Sequence, residues 1–278
     1  ILLAACASPT SPPLTGDFIC KAALSVSADG TGTGAVTCAP FPKPTPVSEQ
    51  HVTVIQFADP DPTGTTCGHA DVQDAFLAQV RPEVAWGNCE NIPGGTYKLF
   101  VGNLSNVPEG ATGNEYRALI KFMDLSAIPA NAVVESAVLT IEQTWCQAAY
   151  ADGSVPGGCS GATITIEAHQ VVTPWGEKYA RWMDMPVFLP TPLDSQTRAN
   201  VLGATYEWDI TTAFKDWLYF GPFINHGVIL IAHPLPVNDF FRGKSHDTVC
   251  DPAQGCSGGQ GTPPGQDAPK LTVTWHLP

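Results

Sequence analysis

Apolar residues fall at every second position in two neighbouring segments of the chain, and this period limits what the segments can form. The segments are residues 116–123 and 136–142, and a stretch rich in Pro, Ala and Asn separates them. A period of two belongs to a β-strand, whose successive side chains point to opposite faces of a sheet. Both segments are therefore predicted to be strands.

The alternation assigns each side chain of the first segment to one of two faces. One face is apolar and carries Tyr116, Ala118, Ile120 and Phe122. The opposite face carries Leu119 and Met123 together with two cations, Arg117 and Lys121. We expect this second face to meet solvent or a ligand, because charged side chains are seldom fully buried.

Further short segments with apolar alternation or apolar runs, bounded by Gly, Pro or Asn, are also predicted to be strands. They are residues 51–57, 98–101, 162–169, 204–209, 228–232 and 270–276. With 26 Pro and 26 Gly, the composition favours an all-β sandwich of jelly-roll type. One short helix is predicted at residues 211–219, where Ala213, Phe214 and Trp217 have helical spacing.

The charge of the chain argues against one class of partner. Its 26 acidic and 13 basic residues give a formal net charge of -13. Nucleic-acid binding depends on clustered Lys and Arg that neutralise phosphates. No nucleic-acid partner is therefore expected.

The first residues suggest a membrane anchor. Leu3-Ala4-Ala5-Cys6 resembles a bacterial lipobox, in which the Cys is lipidated; a chance apolar N-terminus is the alternative. Residues 7–16, rich in Ser, Thr and Pro, would then be a tether. We expect a bacterial protein that is secreted or held at the cell surface by lipid. The predicted organisation has four parts. They are the end of a signal peptide with the lipobox at 1–6, the tether at 7–16, a small hairpin with a Pro-rich linker at 17–71, and a sandwich at 72–278.

The cysteines predict disulfides that pin loops. Nine are present, and removing Cys6 leaves an even number for pairing. Their spacing suggests four sequential pairs: Cys20 with Cys38, Cys67 with Cys89, Cys146 with Cys159, and Cys250 with Cys256. Eight cysteines allow 105 pairings, so the connectivity stays open. No metal site is predicted, because C-x₂-C pairs are absent and only Cys67-Gly-His69 places His beside Cys.

A set of motifs spread over residues 72–277 resembles one known family. The central motif is Arg117 followed by a strand ending in Phe122-x-Asp124-Leu125 and then Ile128-Pro129-Ala130. The others are Asp74 to Leu77, Trp86-Gly87, Leu99 to Gly102, Trp175-Gly-Glu177 with Trp182, Trp208-Asp-Ile-Thr211 with Trp217, Asn225-His-Gly227, and Pro269 to Trp275. Together they resemble the DNRLRE domain, which overlaps carbohydrate-binding module family 96. The segment from Phe240 to His246 departs from the family pattern by lacking its Glu.

The resemblance implies a non-catalytic carbohydrate-binding module, and family members of this kind bind alginate. The net charge of -13 opposes a polyanion at long range, so a neutral glycan is also a candidate. A structural or adhesive surface lipoprotein without glycan specificity is the second class of function. A polysaccharide hydrolase or lyase is the third.

The sequence has no H-E-x-x-H, phosphate-binding or dinucleotide motif. We therefore predict no enzyme activity and no cofactor. Six carboxylates could still serve hydrolysis: Glu115, Asp124, Glu142, Glu167, Glu177 and Asp209. For Asp124 and Asp209 we expect strand-end or turn roles that accept backbone N–H groups. For the others we expect solvated strand positions.

Sugar recognition uses flat aromatic faces together with polar groups that bond hydroxyls. Trp175, Trp182, Trp208 and Trp217 are expected to pack inside or seal the sandwich. Trp86 and Tyr219 lie in segments flanked by Gly or Pro and are the aromatic candidates for ligand binding. The cationic candidates are Arg117, Lys121, Arg242 and Lys244. The alternative for these cations is pairing with nearby carboxylates.

Overall fold

The computed structural model describes residues 18–26, 32–40, 49–56, 72–86, 98–103, 114–146, 159–236, 239–244 and 268–278. The chain divides into two compact units, Ile1–Val47 and Ser48–Pro278.

The first unit contains an antiparallel hairpin of β1 (Phe18–Val26) and β2 (Gly32–Pro40), close to the predicted one. Its register places Cys20 directly opposite Cys38. Opposed residues of an antiparallel pair have Cα atoms about 4.5–5.5 Å apart, a separation that a disulfide can span. The Cys20–Cys38 link stays a prediction, with which this register agrees.

The second unit is built from an antiparallel sheet of eleven strands among the described residues. The strands are β3 (Gln50–Gln56), β4 (Val72–Ala78), β5 (Lys98–Asn103), β6 (Glu115–Phe122), β7 (Val133–Cys146), β8 (Thr163–Gln170), β9 (Asp194–Ala199), β10 (Thr205–Asp209), β11 (Val228–Ala232), β12 (Asp239–Lys244) and β13 (Lys270–His276). The hydrogen-bonded order is β3-β13-β7-β12-β5-β6-β11-β8-β9, and β10 and β4 pair with β7 and β6. The predicted all-β class is confirmed.

The main core lies between the two halves of this sheet. Buried apolar residues of β7, β10 and β13 share one cluster with those of β6, β8 and β11. Trp208 on β10 is fully buried, and its Nε1 donates a hydrogen bond to the carbonyl oxygen of Ile166 on β8 at 2.9 Å. The apolar face predicted for β6 contributes Ala118, Ile120 and Phe122 to the same cluster. The arrangement is consistent with a sandwich.

The predicted helix is present as α1 (Thr211–Phe220). Its buried residues are Ala213, Phe214 and Trp217, the three whose spacing predicted it. Short 3-10 turns occur at Glu177–Tyr179, Trp182–Asp184 and Pro222–Ile224. Among the described residues, no helix is long and apolar enough to span a membrane.

Three observed strands were not predicted. β4 is buried along nearly its whole length, so its apolar residues run together and show no period of two. β9 is polar because it lies at the end of the sheet and pairs with β8. In β12 the register against β7 shifts between Arg242 and Gly243, and such a bulge interrupts alternation.

β3 lies within residues 17–71, which the sequence assigned to a small hairpin and a linker. All seven of its residues pair with β13, so the strand belongs to the main sheet. The second compact unit accordingly begins at Ser48, before the boundary predicted at residue 72.

Several sequence predictions lie outside the described residues. These are the lipobox Cys6, the tether at 7–16, and Cys67, Cys89, Cys250 and Cys256. The side chains of Cys20, Cys38, Cys146 and Lys244 are also outside that part. The disulfide pairing stays a prediction.

Candidate ligand-binding site

The face of β6 that carries Arg117 and Lys121 is covered by the chain itself. Residues 174–189, here called the covering segment, pack on a second apolar cluster on this side of the sheet. The cluster contains Ala75, Leu77, Leu119, Val171, Ala180 and Ile229, with Trp175, Trp182, Met185 and Phe188 packed against it. The prediction that this face is open to solvent or ligand is wrong, because its apolar residues need a partner layer.

Lys121 is buried beneath the covering segment, with 6% of its surface exposed. Its Nζ donates a hydrogen bond to the carbonyl oxygen of Trp175 at 3.1 Å and lies 4.8 Å from the centroid of the Trp175 ring. Burial lowers the pKa of Lys121, and the nearby charge of Glu177 opposes that shift. The Lys121 ammonium therefore holds the covering segment in place.

Arg117 has the local pairing that the sequence left as an alternative. Its Nε donates to Glu115 Oε1 at 2.6 Å. The guanidinium carbon lies 4.9 Å from the ring centroid of Trp182 and 5.8 Å from that of Phe188. A carboxylate and two rings of the covering segment thus surround this cation.

A tight turn at residues 225–227 supports the covering segment. Trp175 Nε1 donates to the carbonyl oxygen of His226 at 2.7 Å, and Asn225 Nδ2 donates to that of Phe122 at 2.6 Å. Gly227 has a φ of +73°, and a Cβ there would lie 2.1 Å from the Ile120 carbonyl oxygen. Only glycine allows this turn to approach β6 so closely.

A second aromatic group occupies a different part of the unit. The five rings of Phe76, Trp86, Phe100, Tyr116 and Phe240 form what we call the aromatic platform. Phe76 stacks on Trp86 at 5.1 Å and meets Phe100 edge-on at 4.9 Å, measured between ring centroids. Phe100 is 5.6 Å from Tyr116 and 5.5 Å from Phe240. Phe76 and Phe240 are buried, whereas Trp86, Phe100 and Tyr116 are half-buried.

Strand pairing brings the platform together. Gly102 on β5 lies opposite Tyr116 on β6 and opposite Phe240 on β12. Its φ is +136°, and a Cβ there would lie 2.6 Å from the carbonyl oxygen of Asp239. The missing side chain lets β12 approach β5 at this point.

Arg242 adds a cation to the platform. Its guanidinium carbon lies 5.6 Å from the ring centroid of Phe100. Burial lowers the pKa of Arg242 to about 10, so the side chain stays charged at neutral pH. Two predicted ligand-binding residues therefore belong to the same site. Trp86 is one of the platform rings, and Arg242 lies against another. Lys244 follows two residues later on β12.

Tyr116 is held on the platform by a polar contact. Asn114 Nδ2 donates a hydrogen bond to the Tyr116 hydroxyl oxygen. Asn114 Oδ1 accepts from the backbone N–H of Val80 at 3.2 Å, and its own N–H donates to Asn103 Oδ1 at 3.2 Å. Burial raises the pKa of the Tyr116 phenol, and the bond from Asn114 partly offsets that rise.

Tyr219 has a structural contact instead. Its hydroxyl donates to the carbonyl oxygen of Ala132 at 3.0 Å and accepts from the N–H of Val134 at 3.2 Å. These bonds join the end of α1 to the start of β7. The structure therefore does not bring Tyr219 to the platform.

Two carboxylates have the turn roles that the sequence predicted. Asp124 Oδ1 accepts from the N–H of Ser126 at 2.8 Å, and Asp209 Oδ1 accepts from that of Thr211 at 2.9 Å. The solvated position expected for Glu177 is wrong, because Glu177 is buried near Lys121. No group of three metal-ligating side chains occurs within the described part of the chain.

No protein-family model matches the chain, and no curated protein matches it significantly.

Proposed function

We propose that the chain binds polysaccharide at the aromatic platform without cleaving it. The observation that carries the proposal is the half-buried set of Trp86, Phe100 and Tyr116, backed by two buried rings. Aromatic rings pack against the apolar faces of sugar rings, and adjacent donors bond the sugar oxygens. Arg242 and the Tyr116 hydroxyl are such donors.

The charge at the platform bears on the glycan class. Arg242 would form charge-assisted hydrogen bonds with a sugar carboxylate, as in an alginate-like chain. The net charge of -13 opposes a polyanion at a distance, but charges separated by more than about 10 Å are largely screened at ordinary ionic strength. Acidic and neutral glycans are both candidates.

The roles of the described carboxylates support binding without catalysis. Hydrolysis of glycosides needs two carboxyl groups facing the scissile bond. Glu115 is paired with Arg117, and Asp124 and Asp209 each accept a backbone N–H. A structural or adhesive surface protein is the alternative function, and a hydrolase or lyase is less well supported.

Attachment to a bacterial cell surface is also part of the proposal. Its support is the resemblance of Leu3-Ala4-Ala5-Cys6 to a lipobox, followed by a Pro/Ser tether. Palmitate labelling of the full-length wild type should be lost in Cys6→Ser. Equal labelling of the two proteins would contradict the anchor.

Glycan binding is tested by titrating the wild type, Trp86→Ala and Phe100→Ala with oligosaccharides selected on a glycan array. The matched control is Tyr179→Ala, since Tyr179 is an aromatic residue that is 78% exposed on the covering segment. We expect a loss of roughly tenfold or more in the platform variants, as for central aromatic contacts in interfaces, and none in the control. Thermal melts check folding.

The same panel separates the three functional classes. Release of new sugar ends by the wild type would indicate an enzyme. Absence of binding to any glycan would favour the structural or adhesive function.

A further inference from the structure

The orientation of the Asn114 amide is fixed by its surroundings. The side chain is 97% buried, as 3% of the residue surface is exposed, and its Oδ1 accepts from the N–H of Val80. An amide oxygen only accepts hydrogen bonds and an amide nitrogen only donates them. The Nδ2 group therefore faces Tyr116, and the Tyr116 oxygen is the acceptor in that contact.

We infer that Tyr116 is a specificity-determining residue of the platform, whose hydroxyl donates a hydrogen bond to an oxygen of the bound glycan. This inference rests on the proposed function. A phenol has one O–H donor and an oxygen that accepts. Since Asn114 donates to that oxygen, the hydroxyl hydrogen is directed away from Asn114.

The polarity of this contact selects a chemical class of partner atom. The atom must be an acceptor: a glycosidic or ring ether oxygen, a hydroxyl oxygen or a carboxylate oxygen. A group that only donates, such as the ammonium of an amino sugar, is disfavoured. Burial raises the pKa of Tyr116, which keeps the phenol protonated through neutral pH. Asn114 acts through Tyr116 and is a positioning residue.

Removing the donor gives the first test. Tyr116→Phe keeps the ring in its contacts with Phe100 and Phe240 and loses only the hydroxyl. The probes are a neutral cello-oligosaccharide and an acidic oligouronate, titrated into the full chain. For the probe that the wild type binds, we expect affinity to fall about three- to tenfold, the usual range for one hydrogen bond. Unchanged affinity would overturn the inference.

Exchanging donor and acceptor in the hydrogen bond between Asn114 and Tyr116 gives a second test. A purely structural role of Tyr116 would not predict its outcome. In Asn114→Asp at pH 7, one carboxylate oxygen still accepts from Val80 while the other accepts the Tyr116 hydroxyl hydrogen. The hydroxyl is then lost to the ligand, so affinity should fall as far as in Tyr116→Phe.

Acidification should restore binding in Asn114→Asp, because a protonated carboxyl again donates to the Tyr116 oxygen. Burial raises the pKa of a carboxyl, which brings the recovery into an accessible range above about pH 4. The neutral probe is used, since its own charge does not change. Tyr116→Phe and the double variant should show no recovery. A folded Asn114→Asp protein with wild-type affinity at pH 7, or without recovery in acid, would overturn the inference.

The outcomes distinguish this inference from the proposed function. If Trp86→Ala weakens binding and Tyr116→Phe does not, Tyr116 has no donor role and the platform remains the binding site. If neither Trp86→Ala nor Phe100→Ala changes the affinity, the proposed site itself fails and takes the inference with it.

Discussion

The covered face of β6 and the aromatic platform both place cations over aromatic rings, and the two regions differ in the contacts that those cations make. On the covered face, the Lys121 ammonium is hydrogen-bonded to Trp175 and buried, and Arg117 is paired with Glu115. On the platform, Trp86 and Phe100 are half-buried and lie next to Arg242. The contacts of Lys121 and Arg117 are those of residues that stabilise the fold, and the platform is the site at which we propose that recognition occurs.

This difference shows why cations on an exposed-looking strand face do not by themselves mark a binding groove. The alternation of β6 correctly separated Arg117 and Lys121 from the main core. It could not show that residues 174–189 would return over them. If the covered face serves stability, substitutions beneath the covering segment should lower the free energy of unfolding.

Gly227→Ala should have the largest effect on stability. The added Cβ would lie 2.1 Å from the Ile120 carbonyl oxygen, and the φ of +73° is unfavourable for alanine. We expect a loss of about 3 kcal/mol or more in the free energy of unfolding.

The matched control is Gly161→Ala, with a similar φ of +69° and no described atom within 4 Å of the added Cβ. It should cost only about 1 kcal/mol, from backbone strain. Denaturant unfolding measures both variants. Similar losses in the two would show that the turn at residues 225–227 does not press against β6.

Lys121→Ala should rank second. It removes the donor to the Trp175 carbonyl and the cation over the Trp175 ring, and we expect a loss of about 2–3 kcal/mol. The melting temperature should fall by about 5–10 °C for a unit of this size. Lys270→Ala, at a half-buried position on β13, is the control and should change little. A fully stable Lys121→Ala protein would contradict the buried position of this lysine.

Arg117→Ala should cost about 1 kcal/mol, because its ion pair with Glu115 is mostly buried. Arg181→Ala removes a more exposed pair with Asp184 and should cost less than about 0.5 kcal/mol. Thermal melts of the two variants compare them. An equal effect would mean that the rings of Trp182 and Phe188 add nothing to the Arg117 contact.

The smallest effect concerns the pH dependence of stability through His226. Desolvation, with a smaller contribution from Lys121, lowers the pKa of His226 below its usual 6.5. The unfolded chain then binds the proton more readily, so the stabilising contribution is present above pH 6.5 and is lost as the pH falls through the folded-state pKa.

His226→Gln should remove this part of the pH dependence, by less than about 0.5 kcal/mol because solvent screens the partly exposed ring. Melts of both proteins between pH 7.5 and about pH 5 measure it. Identical slopes for wild type and variant would contradict the lowered pKa of His226 in the folded protein.

The fold was largely predictable where local pattern and burial agree. The period of two revealed β6 and β7, and the spacing of Ala213, Phe214 and Trp217 revealed α1. β4 and β9 were missed for opposite reasons. One is buried on both faces and the other is polar at the end of the sheet, so neither alternates.

The candidate site was only partly predictable, because it is assembled by pairing between distant strands. Trp86 and Arg242 were identified individually, but nothing local indicates that they share Phe76 and Phe100 as neighbours. Alternation assigned Tyr116 to the apolar face. It therefore gave no indication that the Tyr116 hydroxyl would bond to Asn114, two residues earlier. The rings of Tyr116 and Phe240 meet at Gly102 only through the pairing of β5 with β6 and β12, which no single segment of the sequence shows.

The central claim is that ligand binds at the platform and not at the covered face. Its most direct test is calorimetric titration of Arg242→Ala and Arg117→Ala with acidic and neutral oligosaccharides. We predict that Arg242→Ala weakens binding of an acidic glycan by about ten- to a hundredfold, and of a neutral one by less, while Arg117→Ala leaves both affinities unchanged. Weaker binding in folded Arg117→Ala together with wild-type affinity in Arg242→Ala would contradict the account.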